Sequence, residues 1–452
     1  MQTIIENPRN GCGLHGAVST ILEIRGAVPI VHSNAGCAVS SYLANQSSGM
    51  ENSFIGGYEV PGTNVLERHV IFGGASRLRE QIKNTLKVVN GELYVVLNSC
   101  ESAMVGDDID AMTKEVQEQG EQVIDSLIAG FHGDSHYGYE QILTDIIQKL
   151  PKVRKTDGEK EADLVNLFGI LPQKDIYFKG DLEEIKRILE GIGVKVNTFF
   201  GPTDGVEEFA KAPQAALSIV FSKWGKKAAK ELEREYQIPV LSYPSVPIGI
   251  RQVREFVKDV QEKLEIDSER AEQFLRREEE RFLYYFGGIA RCFYDEHVGC
   301  RIAIAGDESN VLRYGSFLKE YLGVTIDTAI ITDMFLDEHV SESEKLKQWS
   351  DFANNVHFSQ DGNEIAEILE RSQAELILAS SLEDVLAKHL GIVNFAVSYP
   401  VYHQAVLNKS YAGINGALTF TEDFITRIKE SIAFKEALLD EQIQGGKSDG
   451  ME

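Results

Sequence analysis

The sequence is poor in the features that mark a stapled, a membrane-spanning or a nucleic-acid-binding chain. It has 5 cysteines in 452 residues, too few and odd in number for a disulfide framework. No apolar run approaches the ~18 residues that a bilayer span requires. The opening MQTIIENPRNGCG shows no basic stretch followed by an apolar one, so the expected compartment is the reducing cytoplasm, with no membrane partner. Basic residues are outnumbered, 45 Lys and Arg against 70 Asp and Glu, for a formal net charge of −25. Nucleic acid selects a basic footprint and is therefore not expected as a partner. An acidic surface suits docking to a basic patch on another protein. There is no GxxxxGK[ST] loop, so ATP hydrolysis by this chain is not expected, and AIAGDESN lacks the GxGxxG spacing of a dinucleotide site. No CxxC pair is present, which disfavours zinc.

What the sequence does contain is a repeated strand–turn–helix rhythm. GAVPIVHSNAGC reads as a strand running into a glycine turn, and ELYVVLNSC as a buried strand followed by a helix in ESAMVGDDIDAM. HVIFGG is a further β-branched run before the amphipathic ASRLREQIKNTLKVV. The rhythm restarts at ADLVNLFGI and AALSIVFS, and again at GCRIAIAGD and AELILASS. Continuous apolar runs alternating with helical patterns predict parallel α/β units. The length exceeds what one core supports. The expected organisation is three Rossmann-like parallel-sheet units: a first over residues 1–160, a second over 161–268 and a third, with C-terminal helices, over 299–452. A charged connecting helical segment is expected over 269–298.

Open α/β sheets bind ligands at the C-terminal ends of their strands. Cys37 and Cys100 sit just past such ends, and Cys12 joins them in the first unit. Gly11, Gly13 and Gly36 beside these cysteines remove side-chain bulk. Three thiolates in one unit suit an iron–sulfur cluster, one ligand short of the usual four; the competing reading is plain burial, which free cysteines favour. Cys292 and Cys300 read as core packing. His15 and His32 are each candidates for a hydrogen bond to cluster sulfur or for a purely structural role. FHGDSHYGYE, at 131–140, reads as a loop that either ligates metal or carries a capping network. The GDD at 106–108 reads as a helix start whose two carboxylates the helix dipole alone explains, or as a cap that steadies the turn at Cys100.

The stretches NPRNGCGLHGA, GAVPIVHSNAGC, HVIFGGASRLREQI and VVLNSCESAMVGDDIDAM, with LSYPSVPIGI, GCRIAIAGD and SYPVYHQAVLNKSYAG further on, resemble the nitrogenase component 1 family over nearly the whole chain. Cys12, Cys37 and Cys100 match its three cluster cysteines in order. The resemblance implies that two similar subunits each supply three cysteines to a P-cluster-type [8Fe-7S] cluster at their shared interface. This accounts for the missing fourth ligand by an α-like partner, in an α2β2 assembly. It also implies a separate ATP-dependent iron protein as electron donor. The family's α-type subunit holds the active-site cofactor through a middle-unit cysteine and a C-terminal histidine. Here no cysteine lies between 161 and 268, and the histidine position falls at Val397 or Ser398, so the chain is β-like and carries no catalytic residue of its own. In the loop at 131–140 the resemblance offers Asp134 or Ser135 as an extra cluster ligand. An alternative- or nitrogenase-like reductase branch is implied, with dinitrogen or a methylthio compound as substrate. The other implied role is an assembly scaffold carrying a [4Fe-4S] cluster.

Overall fold

The computed structural model describes residues 5–45, 60–154, 158–295, 298–333, 347 and 349–448. Twelve strands form three sheets among these residues. The first sheet holds β1 (Ala27–His32), β2 (Leu93–Asn98) and β3 (Val123–Ser126) in the order β1-β2-β3. The second holds β4 (Glu161–Phe168), β5 (Lys195–Asn197), β6 (Ala215–Val220) and β7 (Val240–Ser242) in the order β5-β4-β6-β7. The third holds β8 (Arg301–Gly306), β9 (Thr325–Ile331), β10 (Asn355–Phe358), β11 (Leu376–Ala379) and β12 (Val393–Ala396) in the order β10-β9-β8-β11-β12. Every strand pair is parallel. The protein is thus mixed α/β with three parallel sheets, as expected.

Helices cover both faces of such sheets, so their central strands lose alternation and become continuous apolar runs. β2 illustrates this: all six residues of LYVVLN are buried. In the first sheet His32 pairs in register with Asn98, so the turns after β1 and β2 leave the sheet side by side. In the third sheet the chain moves to one side of β8 through β9 and to the other through β11. The residues after β8 therefore stand at a crevice between oppositely wound halves. One buried apolar cluster runs through all three sheets without a break.

Two sequence expectations are corrected here. HVIF belongs to a helix, Glu67–Phe72, with no buried residue; an isolated four-residue apolar run has no neighbouring strand to pair with. SHYGYE is not loop but the opening of the 20-residue helix Ser135–Arg154. The short strands β3 and β10 carry too little apolar sequence to stand out beforehand. The connecting segment is helical over Ser268–Phe286. No helix among the described residues is long and apolar enough to cross a membrane.

A polar seam joins the second and third sheets. Asp181, fully buried, receives Arg313 Nη1 at 2.7 Å. Asp175, also buried, accepts Leu171 N at 2.7 Å and Asn310 Nδ2 at 2.9 Å. Burial, with Asp307 adding repulsion, pushes the Asp175 carboxyl up to about 7. Between its unfolded value and about 7 the folded state holds a proton that the unfolded state has released, so stability falls as pH rises through this window. Asp175→Asn cannot titrate. Its stability relative to wild type should rise from pH 4 to about 7, on the order of 1 kcal/mol per pH unit, and then level off. Urea unfolding at a series of pH values checks this; a constant difference contradicts it.

Candidate functional site

Each of the three candidate cysteines stands at the opening of a helix. Cys12 is the residue before helix Gly13–Leu22. Cys37 lies in the first turn of Ala35–Asn45. Cys100 begins Cys100–Val105, whose cap is Ser99. All three are free thiols; Cys12 and Cys37 are half-buried and Cys100 is exposed.

The local sequence explains each placement. After β1, the Asn34 side chain accepts Cys37 N at 3.2 Å and donates to Glu101 Oε2 at 2.6 Å. One asparagine thus ties the Cys37 turn to the Cys100 turn. Ser102 Oγ receives Ser99 N at 2.9 Å and donates to His32 O at 2.9 Å, binding the Cys100 turn to the end of β1. The expectation that GDD steadies Cys100 by capping is therefore corrected. Ser99 caps that helix, Gly106 ends it at a φ of 78°, and Asp108 caps the next one through Ala111 N at 2.9 Å. Asp107 instead accepts Gly74 N at 2.7 Å and meets His32 Nε2 at 2.9 Å.

That contact decides the role of His32. Its other nitrogen lies 3.0 Å from Thr63 Oγ1, so both are occupied and the buried ring is structural. Burial lowers its pKa despite Asp107. His15 differs: its buried Nδ1 has no hydrogen-bond partner among the described residues. Burial, reinforced by Lys174, lowers its pKa.

Sequence reasoning misses Gly130. A Cβ built there would meet Cys12 Sγ at 3.0 Å and Cys100 Sγ at 3.1 Å. Two sulfurs from distant parts of the chain therefore both lie against the bare backbone of one glycine. Cys37 is close enough to feel both: burial pushes its thiol up, with Cys12, Cys100 and Glu101 adding to the rise and a hydrogen bond from Ser33 opposing it. Cys12 is pinned from behind. It forms a backbone bridge with Asp134, and Gly13 N donates to Gly133 O at 2.8 Å. Two further glycines let the flanking helices touch. A Cβ at Gly16 would fall 1.9 Å from Ser135 O, and one at Gly138 would fall 2.0 Å from Gly13 O.

The histidine-bearing segment is an ion-pair network. Asp134 accepts the backbone of His136 at 3.0 Å and faces His136 Nδ1 at 3.1 Å. His136 Nε2 lies 3.2 Å from Asp307 Oδ1. Burial alone lowers this histidine, but Asp307 and Asp134 outweigh it and raise its pKa to about 10. Ser135 is buried, and its hydroxyl has no partner among the described residues. Among those residues no three His, Cys, Asp or Glu side chains gather tightly enough to hold a single metal ion.

Among the described residues, several apolar side chains on the elements that carry or adjoin the thiols are exposed. Val39 and Leu43, Ile71 and Phe72, Met104 and Phe131 are all exposed. They lie on the Cys37 helix, on helix Glu67–Phe72, on the Cys100 helix and beside Gly130. Cys292 and Cys300 are elsewhere, half-buried against the main core.

The fold, three parallel sheets in an α/β chain, is shared by known proteins. The solved structure "Nitrogenase Cp1 at pH 6.5" superposes with a TM-score of 0.77 at 17% identity, covering 96% of this chain and 95% of that one. The nitrogenase molybdenum-iron protein β chain of Methanococcus maripaludis is 24% identical over 94% of this chain and 95% of its own length. The nitrogenase vanadium-iron protein β chain of Trichormus variabilis is 23% identical over 91% of each. A molybdenum-iron protein α chain from Methanothermobacter marburgensis is 26% identical over 92% of this chain and 87% of its own. Residues 12–429 match the model of the nitrogenase component 1 type oxidoreductases. The chain belongs to that family, and within it is β-like.

Proposed function

We propose that this chain is the β-like subunit of a nitrogenase or nitrogenase-like reductase, and that Cys12, Cys37 and Cys100 supply its half of a P-cluster-type [8Fe-7S] site shared with an α-like partner. The observation that carries the proposal is the approach of the Cys12 and Cys100 sulfurs to the bare Gly130 backbone, with Cys37 within electrostatic reach of both. When bound, such a cluster accepts and passes on single electrons, here from an ATP-dependent iron protein towards the partner's cofactor.

The chain's own groups prepare the site. The raised Cys37 thiol keeps its proton until a metal displaces it, so loading releases protons. Ser135 is the additional oxygen donor we propose, because the Asp134 carboxylate is already occupied by His136. The exposed apolar side chains on the thiol-bearing and adjoining elements are the surface an α-like partner covers, since patches of this kind mark association sites. We read the three sheets with their helices as units over 1–160, 161–268 and 299–452, linked by the helical segment 269–298 and sharing one continuous core, and the expected setting is cytoplasmic.

Gly130→Ala tests the site without removing a ligand. The new methyl has to displace a sulfur, while overpacking at a half-open edge costs the fold only about 1 kcal/mol. The expected result is a near-native melting curve with reduced iron in the anaerobically purified α/β pair. Full iron and an unchanged EPR spectrum contradict the proposal.

A further inference from the structure

The segment from Leu127 to Asp134 carries no candidate thiol, yet it touches two of them. Gly130 backs the sulfurs of Cys12 and Cys100, and Asp134 bridges to Cys12. Its start is held by the core: Ile128 and Ala129 are buried, and Ile128 N donates to Asn98 Oδ1 at 2.5 Å. From Gly130 to Asp134 no residue is buried, and the regular structure is one short 3₁₀ turn, Gly130–His132. The far end is anchored by the residue two places past Asp134. The His136 ring is fully buried between Asp134 and Asp307 and stacks on Trp224, with centroids 5.1 Å apart and planes at 26°.

These neighbours come from all three sheets. Asp134 follows β3, Trp224 follows β6 and Asp307 follows β8. The partners are themselves fixed. Trp224 Nε1 donates to Asp333 Oδ2 at 2.8 Å, and Asp333 Oδ1 also receives Glu308 N at 2.8 Å. Asp333 thus does the capping that Asp307, at the N-cap position, does not do with its own side chain. The Asp307 carboxylate is thereby left to face His136.

We infer that His136 is a positioning residue for the Cys12–Cys100 pair: it clamps the Gly130 segment to the second and third sheets, so the spacing of the two thiols depends on all three sheets being docked. This rests on the reading of those cysteines as ligands. A merely structural ion-pair triad would lower global stability when broken and leave the thiols unchanged relative to any equally destabilised variant.

The test compares His136→Gln with Ile185→Ala, which opens a cavity at a fully buried residue of helix Phe178–Gly191. Cluster-free full-length chain is alkylated anaerobically with iodoacetamide, and Cys12 is followed by mass spectrometry alongside the melting temperature. His136→Gln should speed Cys12 alkylation about tenfold or more through local opening, while Ile185→Ala, at an equal or larger loss of melting temperature, changes it less than about twofold. Asp307→Asn should follow His136→Gln and carries the test alone if the glutamine variant does not fold. In the α/β pair, the clamp variant should shift the cluster's EPR signature. Equal acceleration in the clamp and cavity variants, or none in the clamp variants, overturns the inference. The alkylation contrast needs no iron, so a failed cluster proposal and a failed clamp are told apart.

Discussion

Replacing Cys37 by alanine should leave the chain folded and strip iron from its complex with an α-like partner. The thiol is half-buried, and the backbone of Cys37 keeps its bond to Asn34 whatever side chain it bears. Loss of one sulfur at such a position costs the fold about 1 kcal/mol or less. The same change removes one of three thiolates from the half-site, and iron content should fall by more than about half, because binding depends on the complete set of deprotonated ligands. Cys292→Ala is the matched control: the same chemistry, on the short helix Cys292–Asp295 before the third sheet, with no expected loss. Iron analysis of the two variant pairs checks the prediction, and equal iron in both contradicts it.

Asp181→Ala should be the most damaging single change to the fold. Arg313 is buried, with Nε and Nη2 unpartnered among the described residues, so Asp181 is what offsets its charge. The other carboxylate oxygen accepts Ser410 Oγ at 2.8 Å, Tyr411 N at 2.9 Å and Ala412 N at 3.0 Å. One side chain therefore pins the start of the long C-terminal helix to the second and third sheets. Removing one partner of a buried pair costs about 3–5 kcal/mol, since the other charge stays behind. Urea unfolding followed by tryptophan fluorescence should show the midpoint shift, and soluble yield should drop. A midpoint close to wild type would mean that water or a neighbouring group satisfies Arg313 instead.

The strands are the most legible part of this protein, for a physical reason. A strand covered on both faces has to be apolar throughout, so LYVVLN and RIAIAG announce themselves. HVIF misleads because its apolar residues form an exposed helix, and a short apolar run on a surface helix carries the same residue types as a buried strand. The cysteines are legible by their glycine neighbours and their position after strands. Gly130 is not, since its value lies in an absent side chain next to sulfurs from distant positions. The same holds for Asn34 with Glu101 and for His136 with Asp307: contacts across long sequence separations leave no periodicity. His32 shows the limit of residue type alone. It lies close to the thiol-bearing turns, yet Thr63 and Asp107 occupy both of its nitrogens.

On the proposed reading this chain holds half of a cluster and is completed by a partner. Its most direct test is to co-purify the chain anaerobically with an α-like subunit, count iron per pair and record the EPR spectrum. About eight irons are expected at the interface beyond those of the partner's own cofactor, lost together when the two chains are separated. No interfacial iron, or about four irons that pass to an acceptor protein as from a scaffold, would contradict it.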